Sequence, residues 1–492
     1  MKEEIGRLVK HAGIYGAGVI LNKSVGFLLI PLYTRFLTPA DYGVLELLDL
    51  TIFFSGIFCM MGISSAVFRF YAVYDTESDR KEVIASALFF VTIASLLVSV
   101  ALQLLAVPLA ATAFGNIAYA PYVRVVSWTL FFSNLTEVPF AYWRAQHRTV
   151  LFVVVNLIRT IVSAGTLIVA VAVLQRGVQG VVYANLITNG ILGLLLLGTT
   201  LSKVGFRVMS HKLREMLAYG APLIVQSIAS FILVFSDRLF LRHFASLTEV
   251  GIYSLGYKLA GIVALLVSGP FTMTWSWHQF EVAKKGNAKD TFAHIQLYQL
   301  LVSVFVALVI TLLAKDALRI MAPAAYWDAS KVVPLIALSY VLGDMRAVIW
   351  TGILLRNRTH HLGWISGIVA ASNLLLNFVL IPRYSYMGAA VATVLSYALS
   401  LTLGFILAQS IYFIRYEYRR NAIVLGSAVA IYLISTQLSL QISLSLVANV
   451  FVALLFPVIA IVMLRREERI MLWQLGRQAV ERMRNLRLQH ES

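Results

Sequence analysis

Apolar residues run for about twenty positions at a time along most of this chain, with polar residues gathered in short stretches between them. Runs of ~20 apolar residues are long enough to cross the hydrocarbon core as helices. The pattern predicts about fourteen. The first six are 12–34, 44–68, 83–109, 125–143, 150–174 and 181–201; the next six are 217–240, 251–271, 292–313, 333–354, 362–381 and 387–413. The last two are 422–436 and 444–464. The runs are continuous and lack the two-residue alternation of barrel strands. The fold class predicted is an all-α polytopic membrane protein.

Composition agrees. Of 492 residues, 60% are apolar and 13% charged, the latter about half the usual share of a soluble domain. So few charges could not cover a soluble fold of this size. A disordered chain, a secreted disulfide scaffold and an ordinary cytosolic enzyme are excluded. The lone Cys59 lies in an apolar run and can form no internal disulfide. The charged first eleven residues, followed by a run long enough to span, predict no cleavable signal peptide.

The net charge of +17 would suggest a nucleic-acid partner in a soluble protein. Here it follows the positive-inside rule instead. With the N-terminus in the cytoplasm, 27 Lys and Arg residues fall inside and 9 outside. Both termini are therefore expected to be cytoplasmic.

Two halves of the chain match. Gly43 opens the second apolar run and Gly251 the eighth; Gly180 opens the sixth and Gly388 the twelfth. Both pairs are 208 residues apart. This predicts a duplicated six-helix unit, two parallel-repeat lobes around a central cavity, and a pseudo-two-fold axis along the membrane normal. The expected divisions are 1–210 for the N-lobe, 211–415 for the C-lobe, 416–464 for two further helices, and 465–492 for a tail. The tail alternates apolar residues with arginines at helical spacing, as a basic amphipathic helix on the cytoplasmic leaflet would.

No phosphate-binding loop, HExxH motif or metal-ligand cluster occurs, so no enzyme, metal or cofactor is expected. The informative residues are ionisable groups inside apolar runs, where each should face a cavity or a partner. Lys23, Arg159, Lys258 and Arg346 are the candidate lining of a cationic cavity. Glu46, Asp49, Asp237 and Arg238 are candidate coupling or ion-pair residues, with Arg238 placed near the interface. A cationic aqueous cavity attracts an anionic substrate, and a phosphate or diphosphate head group fits it. The plainer alternative pairs each cation with a structural acid, such as Lys23 with Glu46 or Asp49. Asn156, Asn373 and Asn377 are candidate sugar contacts, with interhelical hydrogen bonds as the alternative.

The segment from Pro31 to Gly43, PLYTRFLTPADYG, resembles the first-loop signature of the bacterial polysaccharide and O-antigen flippases. These belong to the multidrug/oligosaccharidyl-lipid/polysaccharide (MOP) exporter superfamily. GISSAVFRFY (62–71), WRAQHR (143–148), YGAPL (219–223), SDRLFL (236–241) and VGIYSLGYKL (250–259) are similar to the same family. The resemblance implies a plasma (inner) membrane transporter that carries undecaprenyl-diphosphate-linked oligosaccharides to the outer leaflet for polysaccharide or O-antigen and exopolysaccharide biosynthesis. Cavity cations would engage the diphosphate, and a proton or sodium gradient or the membrane potential would drive the cycle. Polymerase or export machinery are the partners it implies. A multidrug or cation antiporter of the same superfamily and a peptidoglycan-precursor flippase are the competing readings.

Overall fold

The computed structural model describes residues 18, 21, 22, 24–441, 446–463, 465, 468 and 469. Among the described residues no strand occurs. Helix α1 is Ser24–Phe36, α2 Pro39–Val73, α3 Glu77–Leu104, α4 Ala120–Ala145, α5 Thr149–Val173 and α6 Gly177–Val204. Then come α7 Ser210–Phe244, α8 Leu247–Val282, α9 Ala288–Met321 and α10 Val333–Leu355. The helix His360–Ile411 breaks at Ser385, where φ is 51°, into α11 (360–384) and α12 (386–411). Tyr418–Gln441 is α13 and Leu446–Met463 is α14.

Nine continuous helices among the described residues are long and apolar enough to cross a membrane. The eleventh and twelfth apolar runs are joined in one of them, because a single left-handed residue, not a loop, separates α11 from α12. Helix α4 has 26 residues but carries Arg124, Glu137 and Arg144, which make it more polar than its neighbours. Lys23 and nearly all of the basic tail (465–492) lie outside the described residues.

Helices α2–α6 pack into one lobe, with α4 against α2, α3 and α6. Helices α7–α12 pack into a second, with α10 against α8, α9 and the α11–α12 helix. The lobes meet chiefly along α2 and α8, and the first part of α7 also lies against α2 and α3.

Both facing helices start in the same way. Thr38 caps α2 in a capping box with Asp41, and Pro39 takes a first-turn position. Ser246 caps α8 by accepting a hydrogen bond from the Glu249 N–H. Two residues beyond each acid stands the glycine that the repeat pairs, and these two glycines touch. A Cβ on Gly43 would run into the Leu247 carbonyl, and one on Gly251 into that of Pro39. Equivalent residues of two repeats can touch each other only on the axis that relates them, so the pseudo-two-fold axis passes between Gly43 and Gly251. The second glycine pair behaves equivalently too: Gly180 abuts the Ala170 carbonyl of α5, and Gly388 the Leu380 carbonyl of α11.

At this end of the bundle, hereafter the capped end, further contacts close the lobes. The Tyr326 hydroxyl donates to the Leu37 carbonyl at 2.9 Å, and the Thr34 hydroxyl to that of Met321 at 2.8 Å. Arg242 donates twice to the Phe114 carbonyl, at 2.8 and 2.6 Å. At the opposite end Lys212 of α7 binds Asp79 and Glu82 of α3, both at 2.6 Å. Arg69 there stacks 4.6 Å from the Tyr219 ring centroid.

Helices α13 and α14 pack on α9 and on each other. Their ends at the loop before α13 are tied by Glu468, which accepts from Arg420 at 2.7 Å and from Tyr298 at 3.1 Å. Burial alone would raise this carboxyl, but the bonds from Arg420, the Arg465 N–H and Tyr298 bring it down to about 2. Its contribution is therefore complete above the ordinary glutamate value and fades only as pH falls towards 2. Charged hydrogen bonds of this kind contribute roughly 1.5–3 kcal/mol each. Glu468→Gln is expected to speed tryptic cleavage beside Arg465 and Arg469 about tenfold. Protection of the unaltered chain should be flat from about pH 5 to 8.

Candidate functional site

Lys258 lies two turns beyond Gly251 on α8 and reaches across the axis to the other lobe. Its ammonium donates to the Tyr42 hydroxyl at 2.8 Å and pairs with Glu46 at 3.4 Å. Tyr42 and Glu46 are one turn apart on α2, and Asp49 follows on the next turn. Tyr33 of α1 meets the Tyr42 ring edge-on at 6.1 Å, and Tyr326 meets it at 6.2 Å. Thr129 of α4 and Asn185 of α6 complete a cavity of about 60 Å³. That volume admits only a few water molecules. The Lys258 side chain keeps 44% of its exposure while it is paired.

Glu46, one of the two acids considered for Lys23, pairs with Lys258; Lys23 itself lies outside the described residues. The pairing joins the lobes and does not lie within one of them.

Arg159 of α5 donates to the Asn189 side chain of α6 at 2.7 Å. Asn189 donates in turn to the Asn185 carbonyl. Asn185 lines the Lys258 cavity, so α6 carries both cation environments one turn apart. Glu137 of α4 is the acid nearest in influence to Arg159. Asn156 spends its amide within its own helix, on the Phe152 carbonyl at 2.9 Å.

Asp237 and Arg238 are fully buried inside the second lobe. This corrects the interfacial placement of Arg238. Its guanidinium bonds Asp237 at 2.8 Å and stacks 4.3 Å from the Tyr257 centroid, and Tyr253 donates to the other Asp237 oxygen. A buried arginine is tolerable here because the carboxylate and three aromatic faces replace its water. Asn373 and Asn377 are 1% and 0% exposed. Asn373 accepts from Ser236 and Asn377 and donates to Ser396, so both amides bind α11 to α7 and α12 in this conformation.

Arg346 stands apart from all of these. It donates to Ser400 at 3.1 Å and lies 4.7 Å from the Trp350 ring centroid, beside a cavity of about 390 Å³. Asp344 turns away to accept from Ser303 at 2.6 Å, so the two do not pair. Positions two apart on a helix do not face each other.

Residues 32–276 match the family described as polysaccharide biosynthesis protein. Two curated relatives are each 22% identical: the Lsg locus putative protein 1 of Haemophilus influenzae, over 267 residues, and the probable low-salt glycan biosynthesis flippase Agl15 of Haloferax volcanii, over 269. The matches cover 53% and 54% of this chain, and 63% and 56% of those relatives. The bundle superposes on the lipid II flippase MurJ in its inward closed conformation with a TM-score of 0.70 at 12% identity, covering 90% of this chain and 98% of that one. An inward-facing MATE transporter of the MOP superfamily gives 0.58 at 18% identity, covering 79% and 94%.

The matched segment of this chain is thus similar to the polysaccharide biosynthesis family, and its fold is shared with the MurJ and MATE structures. The resemblance carried by the opening motif is borne out.

The structure also explains why the opening motif has its sequence. Within it, Thr38 and Asp41 form the capping box, Pro39 starts the helix, and Gly43 permits contact with the second lobe. VGIYSLGYKL supplies the reciprocal Gly251, and seven residues later Lys258. The signal that both helices share was available in the sequence as Thr/Ser, then Asp/Glu three residues on, then Gly. It marks the repeat axis as well as two helix starts.

Proposed function

We propose that this chain flips lipid-linked glycan units, with an undecaprenyl-diphosphate-linked oligosaccharide as substrate, from the cytoplasmic to the outer leaflet. The observation that carries this reading is the Lys258 cation paired across the meeting of the two lobes, in a fold shared with a lipid II flippase. A sugar-diphosphate head cannot cross hydrocarbon without partners for its charge and hydroxyls. A cation between two movable lobes supplies one partner at the point that both conformations share.

The excess of Lys and Arg around the end opposite the capped one supports reading that end as the cytoplasmic one. The capped end is then the closed outer gate, and the conformation is one waiting for substrate from inside. In the cycle we infer, the diphosphate displaces Glu46 from Lys258, which releases a contact joining the lobes. Glu46 and Asp49, no longer neutralised, then take up the coupling cation, proton or sodium. Arg159 adds a second cation in the first lobe. The lipid II flippase likeness leaves the peptidoglycan precursor as a second substrate reading, distinguished by which lipid-linked pool accumulates.

A strain lacking the chain tests this. Lipid-linked oligosaccharides are extracted after treatment of whole cells with an impermeant sugar-oxidising reagent. The expected result is units shielded inside in the deletion and modified when the intact chain is restored. Equal modification in both strains would place translocation elsewhere.

A further inference from the structure

We propose that the Arg346 cavity is a separate saccharide subsite that holds a sugar ring of the substrate while the diphosphate engages Lys258. This rests on the flippase reading above and adds where the glycan part is recognised.

The two cavities are built by equivalent helices. Lys258 faces a cavity walled by α2, α4 and α6; the Arg346 cavity is walled by α8, α10 and α12, their counterparts in the second repeat. They are not at equivalent heights. On α8 the second cavity uses Ser268–Gln279, roughly 18 residues beyond the stretch matching 42–52, or ~27 Å along a helix axis. A π-helical turn at Ala264–Ser268 and Pro270 separate the Lys258 half of α8 from this half. The second cavity therefore opens towards the end opposite the closed gate, where substrate enters.

Size and lining decide what it takes. Its volume of about 390 Å³ falls within the ~300–1,000 Å³ of small-molecule sites, whereas the Lys258 cavity is too small for a ring. Trp275, Tyr340, Trp350 and Tyr397 are among its lining residues. Trp275 is fixed by its N–H bond to Thr351 at 3.1 Å, and Gly343 leaves room for the Tyr397 ring, which a Cβ there would approach to 3.1 Å. Flat aromatic faces receive the C–H face of a sugar, and polar groups at the edges select its hydroxyls. Those groups are present. Arg346 uses one donor, on Ser400, and keeps the rest. Gln279 is 4% exposed, and its Oε1 accepts no hydrogen bond.

The test uses the purified full-length chain and two probes. One is the oligosaccharide released by mild acid from the lipid-linked pool of the deletion strain; the other is undecaprenyl diphosphate. The released oligosaccharide is expected to bind the intact chain and Lys258→Ala within twofold of each other. Arg346→Gln and Trp350→Ala should each weaken it at least tenfold, while Trp350→Phe, which keeps a ring, should stay within about threefold. Undecaprenyl diphosphate should show the reverse dependence. Thermal unfolding in the same detergent identifies a variant that has lost its fold, and Arg346→Gln then decides alone. No binding of the released sugar to the intact chain, or unchanged binding in folded Arg346→Gln, overturns the subsite. The leaflet experiment is independent of this outcome: modified units restored by the intact chain keep the flippase reading even if the subsite fails.

Discussion

Lys258→Ala is expected to slow appearance of lipid-linked units in the outer leaflet by about 10–100-fold, with the protein still folded in the membrane. The magnitude follows from what is removed. A hydrogen bond to a charged group contributes roughly 1.5–3 kcal/mol, and every ~1.4 kcal/mol is a factor of ten in rate. Lys258→Arg keeps the charge and should retain most activity. Glu46→Gln has a different signature. It frees the ammonium from its 3.4 Å partner, so substrate binding tightens while turnover falls, because release now lacks a competitor. The double variant Lys258→Ala/Glu46→Gln should be no slower than Lys258→Ala alone, since the pair acts as a unit. Strictly additive losses in that cycle would mean that Lys258 and Glu46 work independently, and the displacement step would be wrong.

The helices were legible because hydrocarbon imposes its own length on any segment that crosses it. The repeat was legible for a related reason: a glycine at a backbone contact admits no substitute, so Gly43 and Gly251 persisted as paired marks. Ion pairing was not. Glu46 and Lys258 are 212 residues apart, and depth in an apolar run says that a cation needs a partner without saying which. Lys23 was as good a candidate from its depth. Arg238 shows the opposite difficulty. Its position near the end of an apolar run suggested an interface, yet Asp237 and the rings of Tyr253 and Tyr257 make an interior site for it. Tyr253 and Tyr257 come from the next helix. Asn373 and Asn377 share a face as their spacing required. Whether that face meets substrate or Ser236 and Ser396 depends on how α7 and α12 pack, which periodicity does not encode. Arg346 was grouped with Lys258 because both are mid-span cations. The π turn and proline in α8 separate them along the path, and only the folded helices show that they serve different cavities.

Gly251→Val is expected to prevent closure of the capped end and to abolish transport. The β-carbon alone would occupy the space of the Pro39 carbonyl, and backbone cannot give way as a side-chain tip can. Overpacking costs typically ~1–3 kcal/mol, and in the proposed cycle it falls on the conformation in which the glycines meet and not on the one in which the lobes are apart. A bias of that size shifts a two-state equilibrium by about 5–150-fold. The shift can be read directly. Thr34 of α1 bonds the Met321 carbonyl of α9 across the closed gate at 2.8 Å, and Phe36 and Ile320 beside them are exposed. Nitroxide labels at these two positions, with the buried Cys59 replaced by alanine, report the gate. The intact chain should give a short-distance population that Gly251→Val loses and Gly251→Ala reduces. Gly43→Val should reproduce the loss, since the axis makes the two positions equivalent. An unchanged short distance with transport intact would show that the lobes can close without this contact. An unchanged distance with transport lost would place the defect in substrate handling and not in the gate. The expected pattern, loss of the short distance together with loss of transport from either glycine, would make the closest contact between the repeats the element whose separation and return the cycle depends on.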